Sequence, residues 1–211
     1  MKYIFLLLLF TPLINSSQTT LLEKKLDSVS TAEEALKFLK TNQPEDGKVI
    51  TFNKEKHKTN LTTSLFRYRL GGKKIVRSGN KRTVYKILDK STPDFCKFDI
   101  ILLDGNKTSA QQAKVIRDKV LLQYKEGYKF KDLVKNHSDG PTANMGGDTG
   151  WIKLGDISEA FDEAAFNQNR AINDVFTVDD EENKKYYIVM KTQDKTPIEE
   201  ITVVKFSENI N

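Results

Sequence analysis

The chain has 211 residues, 38% of them hydrophobic and 30% charged, with a formal net charge of +5 at pH 7. That composition is ordinary for a soluble globular protein with room for one large or two small domains. A single cysteine, Cys96, excludes an internal disulfide and a cysteine-built metal site, and His57 and His137 are too few and too scattered to suggest another, so no metal or cofactor is expected.

At the N-terminus, Met1-Lys2 is a short positive start. Tyr3 to Phe10 is an apolar run, and Pro12 precedes the small polar group Asn15-Ser16-Ser17. This is the layout of a secretory signal peptide over residues 1–17, too short to anchor in a bilayer. Cleavage after Ser17 would leave Gln18 first, and the mature chain is expected to be periplasmic or secreted, with no integral membrane segment. A buried N-terminal strand is the alternative. Residues 18–44 read as helical: Thr31 with Glu34 makes a capping box, and Ala35, Leu36, Phe38 and Leu39 form a stripe that Pro44 to Gly47 ends. Residues 48–62 are polar and poorly patterned. Leu65–Leu70 and Thr83–Leu88 are expected to pair as antiparallel strands. The basic residues Lys73, Lys74, Arg77, Lys81 and Arg82 around their turn read as a solvated strand edge. Elsewhere Lys and Arg are interspersed with Asp and Glu, which points away from nucleic acid. Asp89 to Pro93 is the expected domain boundary, dividing an 18–90 segment from a domain over 94–195, with 196–211 as a tail.

Cys96 is expected to enter the next strand as a small half-buried residue. Phe98–Leu103 is an apolar strand, followed by the turn Asp104-Gly105-Asn106. Ser109 with Gln112 opens a helix whose Ala113, Ile116, Val120 and Tyr124 share one face, and Gly127 stops it. Phe130, Leu133 and Val134 mark a short second helix. Then comes Met145-Gly146-Gly147-Asp148-Thr149-Gly150-Trp151, whose three glycines imply a sharp turn passing close to something, expected to be an apolar pocket. Asp156 with Glu159 is expected to cap a third helix carrying Ile157, Phe161, Ala164 and Ala165. Val175–Val178 and Tyr186–Met190 close as a hairpin through Asp179 to Glu182. Residues 65–90 faintly echo 165–190, as a worn repeat or by chance. The fold class is therefore α+β: an antiparallel four-stranded sheet with surrounding helices, preceded by a smaller helix-plus-hairpin segment.

The order and spacing of several pieces carry a resemblance. These are Ile100 to Leu103, Phe130 to Val134, Ser138-Asp139, Gly146 to Trp151, Phe161 to Phe166, Val175 to Thr177 and Tyr186 to Val189. Residues 98–192 resemble a parvulin-type (PpiC-type) peptidyl-prolyl cis-trans isomerase domain, and exported members often join such a domain to a helical chaperone segment. The reaction so implied is non-covalent. An Xaa-Pro amide twists through a barrier of ~18–20 kcal/mol. An apolar pocket around the proline ring favours the less conjugated, less polar twisted state.

By this resemblance Thr149, Ile157 and Phe161 would line the proline pocket. Ser158 would lie beside the substrate backbone, with Trp151 in the substrate-binding set, and Thr177, Tyr187 and Asp139 would supply polar groups. Thr149 stands where the family usually has Leu. Where the family commonly has a His on the first strand, a Cys or Asp after the Ser-Asp pair and a His on the last strand, this chain has Ile100, Gly140 and Tyr187. A family glycine near Arg170-Ala171 is also lost. His137 takes the place of a structural aromatic, so packing is expected of it rather than catalysis. The loop Asp104 to Lys107 offers no arginine pair for a phosphate, so phospho-directed specificity is not expected. Two functions stay open: an exported foldase that isomerises Xaa-Pro bonds in unfolded polypeptide clients, or a parvulin-fold chaperone that binds such clients with weak or absent catalysis.

Overall fold

The computed structural model describes residues 21–167 and 169–209. The expected signal peptide, residues 1–17, lies outside them. The elements run α1 (Leu21–Leu26), α2 (Ala32–Asn42), β1 (Glu45–Asn53), α3 (Asn60–Phe66), β2 (Lys73–Ser78), β3 (Lys81–Ser91), β4 (Asp94–Asp104), α4 (Ala110–Lys125) and α5 (Phe130–His137). A one-turn 3-10 segment (Ala143–Met145) is followed by β5 (Asp148–Ile152), α6 (Glu159–Ala165), β6 (Val175–Asp180), β7 (Lys185–Pro197) and β8 (Glu200–Asn209). They form two antiparallel four-stranded sheets, ordered β1-β8-β3-β2 and β5-β4-β7-β6.

The second sheet carries the candidate site. Alternation along β4 and β7 sends successive side chains to opposite faces. Ile101, Leu103, Tyr186 and Ile188 pack under α4 and α5 with Ala113, Val120, Leu133 and Val134. Phe98, Ile100, Tyr187 and Val189 pack under α6 with Phe161 and Ala165. The Ser109–Gln112 capping box forms as the sequence predicts, Gln112 N–H donating to Ser109 Oγ at 3.3 Å and Ser109 N–H to Gln112 Oε1 at 3.1 Å. At α6 the cap is two residues further on than the expected acid: Ser158 Oγ accepts the Phe161 N–H, while Asp156 accepts that of Lys153. A hydroxyl on extended backbone reaches the N3 amide directly, which is why Ser158 takes the role expected of Asp156.

The first sheet departs further from expectation. Leu65–Leu70 does not pair with Thr83–Leu88. Thr59 and Thr62 form a reciprocal capping box that starts α3, and Leu65 is buried on it. The strand opposite β3 is Lys73–Ser78. The unpatterned stretch after Pro44 contains β1, an edge strand made by backbone pairing with β8 more than by its own burial pattern. Residues 196–211, expected as a tail, contain β8, which lies between β1 and β3. Ile201 and Val203 of β8 face α3, whereas Val204 and Phe206 face α1 and α2, so both its sides are covered. Within the basic stretch Arg82 is not solvated: it is 2% exposed and pairs with Glu23 and Glu208. Cys96 is fully rather than half buried, and burial pushes its thiol pKa up.

β3 runs into β4 through Pro93, β7 runs into β8 through Ile198, and the Ile198 N–H donates to the Pro93 carbonyl at 3.1 Å. The central pairs of the two sheets thus form one bent ribbon. Lys153, just after β5, reaches the buried Glu200 of β8, whose other oxygen accepts from Asn53 of β1. Among the described residues, no helix is long and apolar enough to cross a membrane.

Candidate functional site

α6 lays Phe161 and Ala165, one turn apart, onto β4, β6 and β7. The Phe161 ring meets Phe98 edge-on, with centroids 5.7 Å apart at 89°, and Tyr187 at 5.5 Å and 75°. Such tilted pairs place the positive ring edge on the neighbour's negative face. Phe161 is 0% exposed, so the ring expected to floor an open proline pocket is covered by its own neighbours. Ile157 and Ser158, at the N-terminal end of α6, are the partly exposed members of the expected set on this side. Ile100, in place of the family histidine, is a buried member of the same cluster.

Tyr187 is 2% exposed. Burial, with a smaller contribution from Asp180, pushes its hydroxyl pKa up to about 12, so it stays a neutral donor at physiological pH. Asp180, which sequence reasoning did not single out, is 3% exposed at the end of β6. Burial opposes its ionisation, yet hydrogen bonds from Ser158 and Asn183 hold its pKa below the usual carboxylate value. The signal for it was the acidic turn Asp179 to Glu182, which is uninformative about the one carboxylate that turns inward.

Other expected site residues lie elsewhere. Thr177 is exposed on β6 between the inward-facing Phe176 and Val178, hence on the sheet face opposite Phe161; it cannot join a network beneath that ring. Trp151 pairs with Lys97, whose ammonium sits 5.1 Å from the indole centroid, while its neighbour Ile152 faces the Phe161 cluster. Strand alternation thus turns Trp151 away from the site. Thr149 accepts the Phe98 N–H at 3.2 Å and donates to the Gly150 carbonyl at 2.9 Å, patching the irregular register between β4 and β5. Asp139 accepts the Asp104 N–H at 3.1 Å and pairs with Lys107; the first of these, with the lysine, holds its pKa low. It ties down the end of β4 and is not poised as an acid. His137 is partly buried at the end of α5, and burial, with Lys119, lowers its pKa.

The glycine run also has a different neighbour from the one expected. At Gly147, with φ of +88°, a Cβ would come within 2.7 Å of the Ile100 carbonyl oxygen and 2.8 Å of its nitrogen. The close approach is to the backbone of β4, and the Ile100 N–H donates to Gly147 O at 3.0 Å. On the other side of α6, a cleft of ≈ 540 Å³ runs past Leu154, Ser158, Asp162 and Phe166. The α6–β6 connection is fastened by Arg170, whose guanidinium stacks 3.5 Å from the Phe176 ring centroid and whose Nε donates to the Ala164 carbonyl at 2.6 Å.

A sequence profile described as the PPIC-type PPIASE domain matches residues 82–196, more than half of the chain. Among curated relatives, "Chaperone SurA" of Thiobacillus denitrificans is 32% identical over 103 residues, covering 43% of this chain and 22% of the relative. "Foldase protein PrsA" of Bacillus subtilis is 32% identical over 97 residues, covering 45% of this chain and 29% of the relative. The chain thus spans less than a third of the length of these relatives. The crystal structure of PrsA from Bacillus subtilis aligns at 30% identity over 48% of this chain and 36% of that one, with a TM-score of 0.39.

Proposed function

The chain belongs to the PPIC-type PPIase domain family, and from that premise we propose that it is an exported foldase that binds proline-containing segments of unfolded polypeptides and accelerates Xaa-Pro isomerisation. The observation that carries this reading is the Phe98–Phe161–Tyr187 cluster, a buried apolar group beneath Ile157 and Ser158 that holds one neutral hydroxyl. A twisted prolyl amide has lost its resonance and its ionic character, so an apolar surround stabilises it relative to the planar form in water. In this reading Ile157 and Ser158 meet the peptide at the mouth, Phe161 backs them from beneath, and Tyr187 donates toward a flanking carbonyl. Export is supported by the layout of Met1 to Ser17, and polypeptide clients by the chaperone and foldase names of the relatives.

The test is exchange NMR on an Ala-Pro peptide with the full chain. Accelerated cis–trans exchange is expected, and exchange no faster than buffer at high protein concentration would refute the enzyme. Tyr187→Phe keeps the ring and removes the hydroxyl, and is expected to lower kcat/KM by about tenfold, the worth of one buried hydrogen bond. A second reading, a peptide-binding chaperone without catalysis, is favoured by the complete burial of Phe161 and by Ile100 and Gly140 at positions where the family has polar groups. Peptide binding without faster exchange would select it.

A further inference from the structure

The sheet of β4 to β7 separates charge by sign. Residues 105–137, which hold α4 and α5 on one face, carry eight Lys and Arg against three Asp and Glu. Residues 154–184, which run through α6 and β6, carry nine Asp and Glu against two Lys and Arg, and of the nine Asp179 turns to the other face, where it pairs with Arg117 of α4. On the basic side Lys114, Lys119, Lys125, Lys129, Lys131 and Lys135 are all exposed. Among the described residues, no carboxylate comes within the 4.0 Å of an ion pair to any of the six. Ammonium groups left without partners along one surface create a field that their own protein does not neutralise.

The outer line of α4 is apolar. Val115 is 60% exposed and Leu122 58%, seven residues and two turns apart, so they sit in line about 10 Å from each other. Tyr128, just past the helix end, is 55% exposed. By the 100° step of the helix Lys114 and Lys125 flank this line on one side and Lys119 on the other, with the exposed Asp118 and Glu126 also beside it, so three lysines stand against two carboxylates. An apolar ridge between lysines matches the interfacial region of a bilayer, where apolar side chains sit at the acyl boundary and ammonium groups reach phosphates.

We propose that the outer face of α4 and α5 docks on an anionic phospholipid surface. The acidic α6 side is repelled by the same surface, so docking also sets an orientation: the mouth at Ile157 and Ser158 faces away from the lipid. A second copy of the chain would offer opposite charge too, on the clefts around Ser158, Glu159 and Glu163, and sedimentation velocity distinguishes it from lipid. A fluid bilayer takes up a convex ridge readily. The proposal does not rest on isomerase activity and stands or falls separately from it.

Co-sedimentation of the full 211-residue chain with lipid vesicles tests it. Binding is expected to vesicles of phosphatidylcholine mixed with phosphatidylglycerol, none to phosphatidylcholine alone, and release at high salt. Lys114→Glu, Lys119→Glu and Lys125→Glu together should weaken partitioning by at least ~100-fold, and Val115→Ser with Leu122→Ser by about tenfold. All five positions are exposed, and thermal melting of each variant checks that the fold is kept. Equal binding to neutral vesicles overturns the proposal. So does binding that ignores the substitutions, or no binding to the anionic vesicles at low salt. Self-association in sedimentation velocity that the lysine substitutions abolish would identify the occupant as a second copy and overturn it likewise.

Discussion

Replacing Gly147 by alanine probes the contact on which the glycine run depends. An L-residue at φ of +88° costs about 1–2 kcal/mol of backbone strain. The new methyl would also stand 2.7 and 2.8 Å from two backbone atoms of Ile100, neither of which can rotate aside. Relief requires β5 to move away from β4, which lengthens the 3.0 Å bond from Ile100 N–H to Gly147 O. Loss of that buried bond adds about 1–3 kcal/mol. The expected total is about 2–5 kcal/mol, a large part of the ~5–15 kcal/mol that holds a domain together. Gly150 is the internal control: its φ is +65° and nothing lies within 4 Å of an added Cβ, so Gly150→Ala should show strain alone, about 1 kcal/mol. Equilibrium urea unfolding at unchanged m-value measures both. If Gly147→Ala is not at least about 1 kcal/mol worse than Gly150→Ala, the close approach to β4 is not what the glycine is for.

Tyr187 predicts an alkaline signature. Its folded pKa of about 12 lies above the model-compound value of 10.0, so its stabilising contribution is full below about pH 10 and is lost as pH rises through 12. Wild type should lose stability more steeply than Tyr187→Phe over that window; parallel curves would show that the hydroxyl is not desolvated. Lys86 donates to the carbonyls of Leu26, Asp27 and Val29 at 2.9, 3.0 and 2.6 Å, closing the end of α1, so Lys86→Met should cost about 2–4 kcal/mol in urea unfolding, and a loss under 1 kcal/mol would contradict that role. Phe161→Ala empties a fully buried site and should cost about 3–5 kcal/mol, so any fall in peptide exchange must be read at a temperature where the variant stays folded; an undiminished melting temperature would mean the ring is not packed as described.

Ser109 with Gln112, the α4 stripe and the β6–β7 hairpin were legible because their signals lie within a few residues of each other. Gly146 and Gly147 announced a constrained turn, though not that it constrains the chain against Ile100. The placements of Thr149, Trp151, Thr177 and Asp139 were not legible, since each depends on which face of a strand, or which chain end, the residue is given by pairing partners far away.

The ordered set of matching segments carried the resemblance to the PPIC type, while caps and hydrophobic periods were enough to specify an α+β fold and the sheet–helix frame around Phe161. Those are local quantities, set by backbone sterics and by side-chain spacing along one element. β1, α3 and β8 escaped that reading because their stability comes from partners elsewhere: β8 is covered on both faces only once α1, α2 and α3 have closed on it. Pairing register likewise decided that Tyr187 joins Phe161 while Thr177, ten residues before it, faces the other way. A shift of one residue reverses every side chain on a strand, and no property of the strand alone says which register its neighbours impose.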